Sequence, residues 1–182
     1  MPDTPSLGAD YLRDALRLLT HYKALGDGAM GQLADHELAI APDPESNSIA
    51  IIVKHLAGNM RSRFTDFLTA DGEKPDRNRD GEFEHSGETP RAQLIDWWES
   101  GWRIATDAVG ALTPADLGRT VRIRGEELSV LEAVNRQIAH DAYHVGQMVY
   151  LARQLKGAAW QSLSIPRGRS AEYVRRIPPA RA

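Results

Sequence analysis

The 182-residue sequence contains no cysteine, and it carries little excess charge of either sign. Without cysteine the chain has no disulfide framework, no thiolate zinc site and no cysteine nucleophile, so any metal must be held by histidine and carboxylate side chains. A net charge of -3 with 42% hydrophobic residues excludes an intrinsically disordered chain. The composition therefore predicts a single domain over residues 1–182.

Long apolar runs are also missing from the sequence. No stretch approaches the roughly 20 apolar residues that are needed to cross a bilayer. The first residues, MPDTPSLGAD, lack the basic and apolar regions of a signal peptide. We therefore expect a cytoplasmic protein that has no membrane partner.

The charge is unevenly distributed along the chain. Residues 165–182 form a basic tail with five arginines and one glutamate, a local charge of +4. A basic tail can bind nucleic acid, but this tail lacks the length, charge density and interleaved aromatic residues of a nucleic-acid arm. We do not expect a nucleic-acid partner, and the alternative is a tail that packs along the acidic body or a second subunit.

Apolar residues recur at helical spacing in four segments, whereas strand signals are few. Ser129 and Glu132 predict a capping box at the start of the fourth helix. The polar stretch Thr69–Glu88 predicts a long loop between the second and third helices, and Val121–Leu128 predicts a small hairpin before the fourth. The fold class is therefore predicted to be an all-α four-helix bundle. The predicted helices span about residues 9–38, 48–68, 90–112 and 130–156.

Three histidines form a candidate metal site. His140 and His144 lie one turn apart on the same face of the fourth helix, so both imidazoles can bind one metal ion. The pair is not the HExxH motif of metalloproteases, because Asp141 follows the first histidine, and Asp141 is predicted to point away from the site. A single buried His55 on the second helix would more often be a hydrogen-bonded core residue. Beside an inward-facing pair, however, His55 completes an open three-histidine site.

Polar residues flank these histidines on both helices. Asn59 and Arg63 follow His55 by four and eight residues, so either is a candidate for positioning a substrate or water, although Arg63 could instead form a surface salt bridge. Gln137 and Gln147 border the histidine pair and are candidate hydrogen-bond partners of the ligands. The remaining histidines are predicted to face solvent, namely His21, His36 and His85.

Two further motifs have simpler interpretations. The segment Gly26–Gly31 spells G-x-G-x-x-G, but it follows a helical pattern where a dinucleotide site requires a preceding strand. We expect a kink or a close helix contact there. A tryptophan cluster is predicted to pack in the core or at a dimer interface rather than to stack on a ligand. Its members are Trp97, Trp98 and Trp102.

Together these residues resemble the DinB-like superfamily, which includes the YfiT-like metal-dependent hydrolases and bacterial low-molecular-weight-thiol transferases. The resemblance spans nearly the whole chain. It implies a bundle, commonly dimeric, in which His55, His140 and His144 hold a divalent metal, zinc or nickel. The resemblance is carried by His55, by the run from His140 to Gln147, and by the stretches SIAIIVKHLAGNMRSRFTDFLTADGEKPDRNRDGEF and SLSIPRGRSAEY.

The resemblance implies an enzyme that acts on a small-molecule substrate. In a transferase, an external thiol such as bacillithiol or mycothiol is the nucleophile, which fits the missing cysteine. In a hydrolase, water is the nucleophile, but the sequence offers no clear general base. The alternative is a non-catalytic interaction protein in which the metal stabilises a homodimer. No fourth protein ligand is evident in the sequence, which favours an open site and an enzyme.

Overall fold

A computed structural model describes residues 6–84 and 89–174 of the chain. Within these ranges the chain is mostly helical, with four long helices and one small hairpin, which confirms the predicted all-α bundle. The long helices are α1 (Leu7–Gly31), α2 (Ile49–Phe64), α3 (Arg91–Gly110) and α4 (Val130–Lys156). The hairpin pairs β1 (Thr120–Ile123) with β2 (Glu126–Ser129), and a short helix α5 (Ser170–Val174) follows α4.

Helices α1 and α4 run parallel to each other. Near the start of both helices, the Tyr11 hydroxyl donates to the backbone carbonyl of Leu131 at 3.1 Å. Just beyond the end of both helices, the backbone N–H of Gln161 donates to the side chain of Gln32 at 2.8 Å. Helix α4, which carries His140 and His144, is therefore fixed against α1 at both of its ends.

Helices α2 and α3 run in the opposite direction. Arg91, the first residue of α3, donates to a backbone carbonyl in the last turn of α1 at 3.3 Å. Ile52, near the start of α2, shares a cavity with Leu151 near the end of α4, whereas Arg63 at the end of α2 shares another cavity with Arg136 near the start of α4. Because α2 and α3 are parallel, the long connection between them must return along the bundle.

Capping residues determine where both histidine-bearing helices begin. The Ser48 hydroxyl accepts from the N–H of Ile51 at 3.3 Å and starts α2. At the start of α4, the Ser129 hydroxyl accepts from the N–H of Glu132 at 3.2 Å, and the Glu132 carboxylate accepts from the N–H of Ser129 at 2.7 Å. The predicted capping box is therefore confirmed.

Helix α1 ends earlier than the sequence pattern predicts. It stops at Gly31 rather than near residue 38, because Ala34 is extended and a separate 3₁₀ helix over Asp35–Ala39 follows. Leu33 and Leu38 are nevertheless buried. The apolar spacing therefore continues beyond the helix, because the connecting segment also covers the core.

Helix α2 also ends earlier, at Phe64 rather than near residue 68. Thr65 is extended, and Asp66 has a positive φ of 50°, which no α-helix accommodates. Phe67 lies in the turn that follows α2 and is still buried in the core. Because this apolar residue continues the helical spacing, the sequence pattern predicts a helix that is too long.

The predicted hairpin is confirmed and is tied to the long loop. Arg124 and Gly125 both have positive φ, 56° and 76°, as the tight turn of a two-residue hairpin requires. The Asp71 carboxylate in the long loop accepts from both of their backbone N–H groups at 2.8 Å. The loop and the hairpin therefore form one continuous wall at the end of α2.

The glycine motif and the tryptophan cluster belong to the same helix contact. The motif lies within α1, which begins at Leu7 and is preceded by no strand in the part of the chain that the structure describes. A Cβ at Gly26 would collide with the Trp98 ring. Trp98 and Trp102 are fully buried with ring centroids 5.3 Å apart, and Trp97 packs partly buried against the core. Close helix packing is thus confirmed for Gly26, and core packing for the tryptophans.

None of the described helices combines the length and the apolar character that crossing a bilayer requires. His21 and His36 are exposed, as predicted, whereas His85 lies outside the described residues. The basic tail is described only as far as residue 174, so its last part, residues 175–182, also lies outside them.

Candidate metal centre

The structure brings together the three histidines that the sequence analysis selected. His55 projects from α2, and His140 and His144 project from α4, with one ligand nitrogen of each within 4.8 Å of the others. The Nε2 atoms of His55 and His140 lie 3.2 Å apart. His55 and His144 are buried and His140 is half-buried, so the group can hold a metal ion at the edge of the core.

His55 is oriented by a carboxylate that the sequence analysis missed. The Nδ1–H of His55 donates to Glu82 Oε2 at 2.9 Å, and Glu82 is itself buried. Because a carboxylate only accepts, the proton of neutral His55 is on Nδ1 and the Nε2 lone pair faces His140. A histidine held this way by a carboxylate is a common support for a metal ligand.

Glu82 is held by contacts on two sides. Arg77 donates to it through two nitrogens, at 2.8 Å to Oε1 and 2.9 Å to Oε2. On α2, a Cβ at Gly58 would collide with the carboxylate, so glycine provides the space for it. Burial would raise the pKa of Glu82, but Arg77 and His55 outweigh burial and lower it. Glu82 is therefore ionised at neutral pH.

Gln147 orients His144, as the spacing of the two residues predicts. The Nδ1–H of His144 donates to Gln147 Oε1 at 2.9 Å, which leaves the Nε2 lone pair of the neutral ring available. Burial, together with the nearby His140 and His55, lowers the pKa of His144 to about 4. Burial also lowers the pKa of His55, although Glu82 opposes this. Both rings are neutral at pH 7, the form that binds metal.

The donor set fits a divalent metal ion. In a tetrahedral site with metal–nitrogen bonds of about 2.0–2.1 Å, two ligand nitrogens lie about 3.3 Å apart. The 3.2 Å between the Nε2 atoms of His55 and His140 is close to that separation. Among the described residues, the ligand group contains three histidines and no fourth protein ligand, which is the composition of an open site.

Asp141 corrects one expectation of the sequence analysis. It does not belong to the ligand group, but it lies against the site rather than pointing away from it. Its carboxylate is fully buried, with Oδ1 3.8 Å from Nδ1 of His140, because it occupies the core side of α4 beside that ring. The Nε2 of Gln137 donates to Asp141 at 2.7 Å. Gln137 therefore supports Asp141 rather than a histidine, and burial raises the Asp141 pKa.

Asn59 and Arg63 both line the cavity beside the histidines. Asn59 is buried, and its Oδ1 has no hydrogen-bond partner in the part of the chain that the structure describes. Arg63 donates to Glu73 at 2.8 Å and also to the carbonyl of Gly72. Arg63 thus forms a salt bridge, but this salt bridge is largely buried at the cavity wall rather than on the helix surface. Asn59 is the residue with an acceptor still available.

The histidines face a cavity of about 450 Å³ between α2, α4, the long loop and the hairpin. None of the described residues that line it carries a carboxylate. Its volume is in the range that holds small organic ligands. The wall also includes three phenylalanines, Phe64, Phe67 and Phe83. In addition to Arg63, four arginines line it, namely Arg77, Arg79, Arg124 and Arg136.

Comparison with known families and proteins gives one match. A family model described as "Protein of unknown function (DUF1572)" matches residues 6–169. No curated protein matches the chain. The matched range contains all four long helices and the three histidines, so the candidate site lies entirely within the matched domain.

Proposed function

Since the chain belongs to the family described as "Protein of unknown function (DUF1572)", we propose from its site that it is a divalent-metal-dependent enzyme of the DinB-like type. The observation that carries the proposal is the convergence of three histidine nitrogens within 4.8 Å at the wall of an open cavity. Three protein ligands beside an open position are typical of catalytic metal sites. Zinc and nickel are the metals that we propose, because imidazole ligands suit both.

The proposed reaction is the transfer of a low-molecular-weight thiol to an electrophilic small molecule. A thiol R–SH displaces the leaving group X from R′–X and gives R–S–R′ and HX, so the proton leaves with X. A divalent metal, when bound, supplies the Lewis acidity that lowers the pKa of the nucleophile. The chain has no cysteine of its own, which is consistent with a thiol supplied from outside.

The residues of the chain supply position and shielding in this reaction. Glu82 and Gln147 hold the rings of His55 and His144 so that their Nε2 atoms face the cavity. The free Oδ1 of Asn59 can accept a hydrogen bond from a bound substrate. The Phe83 ring, whose centroid is 4.6 Å from that of His55, covers one side of the site and limits the access of water.

Two alternatives have less support. A hydrolase requires a general base for water, and none of the described residues that line the cavity carries a carboxylate to act as one. A purely structural metal site is normally closed by a fourth protein ligand. The described ligand group has three members and borders a cavity of about 450 Å³. The first observation favours a transferase over a hydrolase, and the second favours an enzyme over a structural metal site.

Thiol conjugation tests the proposed reaction. Untagged protein loaded with zinc or nickel, and the same protein after metal removal, are assayed with glutathione, bacillithiol and mycothiol against a chloroaryl electrophile. We expect metal-dependent turnover with at least one thiol. Asn59→Ala should lower kcat/KM by about tenfold through the loss of one hydrogen bond, whereas the exposed Asn135→Ala should not. Absence of metal-dependent turnover with every thiol would contradict the proposal.

A further inference from the structure

Two arginines of the cavity, Arg63 and Arg136, lie on one side of the histidines. Arg136 is four residues before His140 on α4, and Arg63 is eight residues after His55 on α2. At 1.5 Å per residue, these positions are displaced along the helices by about 6 Å and about 12 Å. Because α2 and α4 are antiparallel, both displacements run toward the hairpin. Arg63 and Arg136 therefore lie at the end of the cavity that is nearer to the hairpin.

Three arginines of the cavity are held by carboxylates. A single oxygen of Glu73 lies 2.8 Å from Arg63, 3.5 Å from Arg77 and 3.1 Å from Arg124. Burial would raise the pKa of Glu73, but the arginines outweigh burial and lower it, so Glu73 is ionised. Because Arg77 also donates to Glu82, these three guanidinium groups are paired with two carboxylates, and the arginines left for a ligand are Arg79 and Arg136.

Arg79 and Arg136 have partners that a ligand can replace. Among the residues that the structure describes, the carboxylate oxygen nearest to Arg79 is 3.9 Å away on Asp80, which is 99% exposed. Arg136 contacts Glu126 at 3.0 Å, and Glu126 is 61% exposed. Ion pairs on the surface are weak because water screens them, so a bound anion can compete with them. Both guanidinium groups are thus available to the cavity.

Aromatic stacking places Arg79 next to the histidines. The Arg79 guanidinium carbon lies 5.1 Å from the centroid of the Phe83 ring. Phe83 also contacts His55, with ring centroids 4.6 Å apart. A cation held over an aromatic ring in this way is attracted by the negative face of the ring. Phe83 contacts both Arg79 and His55, so a positive charge is held one aromatic ring away from a candidate metal ligand.

We propose that the cavity binds a small organic anion, whose carboxylate or phosphate oxygens are held by Arg79 and Arg136. Arginine is well suited to this role because its planar fork matches both oxyanions. The phenylalanine side chains of the wall contact the apolar part of the molecule, and its reacting atom lies toward the histidines. The inference rests on the proposed function, because it names the substrate class of the same site.

Calorimetric titration of the zinc-loaded full-length protein tests this inference. The probes are phenyl phosphate and benzoate, with benzyl alcohol as a neutral compound of similar shape. We expect at least one anion to bind at least about tenfold more tightly than benzyl alcohol. The double variant Arg79→Gln/Arg136→Gln should lose at least about tenfold in affinity for that anion. Whether phenyl phosphate or benzoate binds more tightly distinguishes a phosphate from a carboxylate substrate.

The control removes the same charge elsewhere. Arg122 and Arg153 are exposed and do not line the cavity, so Arg122→Gln/Arg153→Gln should change the affinity less than about twofold. Equal affinity for the anions and benzyl alcohol, unchanged affinity in the cavity variant, or an equal loss in the control would overturn the inference. Metal content measured on the same samples separates the two proposals, because anion binding can be lost while the metal is retained.

Discussion

At the scale of single residues, Glu82 is the carboxylate that fixes the orientation of His55. Glu82→Gln removes the charge that Arg77 and His55 both contact, so the ring loses its ionic acceptor. We expect the affinity for zinc at pH 7 to fall by about 10–100-fold, as is typical for partners of metal ligands. Competition with a chromophoric chelator measures this change.

Glu84→Gln is the matched control for Glu82→Gln. Glu84 lies two residues further along the same loop and is exposed, so the same substitution should leave zinc affinity unchanged. If Glu82→Gln bound zinc as tightly as the wild type, the role assigned to this carboxylate would be wrong.

Protonation of His144 is expected to lower the stability of the metal-free protein as the pH falls. Its pKa is about 4 in the folded state against an ordinary value of 6.5, so the unfolded chain takes up the proton first as the pH falls. Stability is therefore lost between these two values. From pH 7 to pH 5 the free energy of unfolding should fall by about 2 kcal/mol on account of this residue. Urea unfolding at both pH values measures the difference.

The comparison of two histidine variants isolates this effect. His144→Gln should reduce the loss of stability between pH 7 and pH 5 by about 2 kcal/mol. His21→Gln, at an exposed position on α1, should retain the full loss. The same pH dependence in His144→Gln and the wild type would contradict the explanation.

The histidines could be predicted from the sequence, whereas their carboxylate partner could not. His140 and His144 obey the period of one helix, and His55 lies on an apolar helix, so local rules place all three. Glu82 lies in a loop without periodicity, 27 residues from His55. In the sequence, the unusual length of that loop is the one feature that indicates a functional role for it. Arg136 could have been found, because it is four residues before His140.

At the scale of the elements, two glycines of α1 provide opposite tests of helix packing. A Cβ at Gly26 would collide with Trp98, whereas Gly31 has nothing within 4 Å of that position. Gly26→Ala should destabilise the fold by about 1–3 kcal/mol through overpacking. Gly31→Ala should stabilise it by up to about 1 kcal/mol, because alanine is the better helix former. Chemical denaturation of both variants measures these changes.

Equal and favourable effects of the two glycine substitutions would show that the contact between α1 and α3 tolerates a side chain at Gly26. The apolar spacing of the helices does not predict this contact directly. In the sequence, only the glycine motif and the tryptophans indicate it. The helix ends were harder to predict. Leu33, Leu38 and Phe67 are buried outside regular helix, so the apolar pattern alone extends α1 and α2 too far.

At the scale of the whole molecule, the net charge of -3 conceals a cationic cavity. Five arginines line it, while their carboxylate partners lie behind the wall or on the outer surface. The sequence indicates a charge imbalance only in the tail, because the cavity arginines are spread over α2, the long loop, the hairpin and α4. The homodimer, the thiol, the identity of the metal and the cytoplasmic location stay predictions.

The most direct test of the account is the metal content of the untagged protein, measured by mass spectrometry after purification. Removing one of three ligands should abolish tight binding. We predict about one zinc or nickel per chain in the wild type and in the surface variant His21→Ala, and close to none in His144→Ala. Equal metal content in the wild type and His144→Ala, whether near one or near zero, would contradict the three-histidine site.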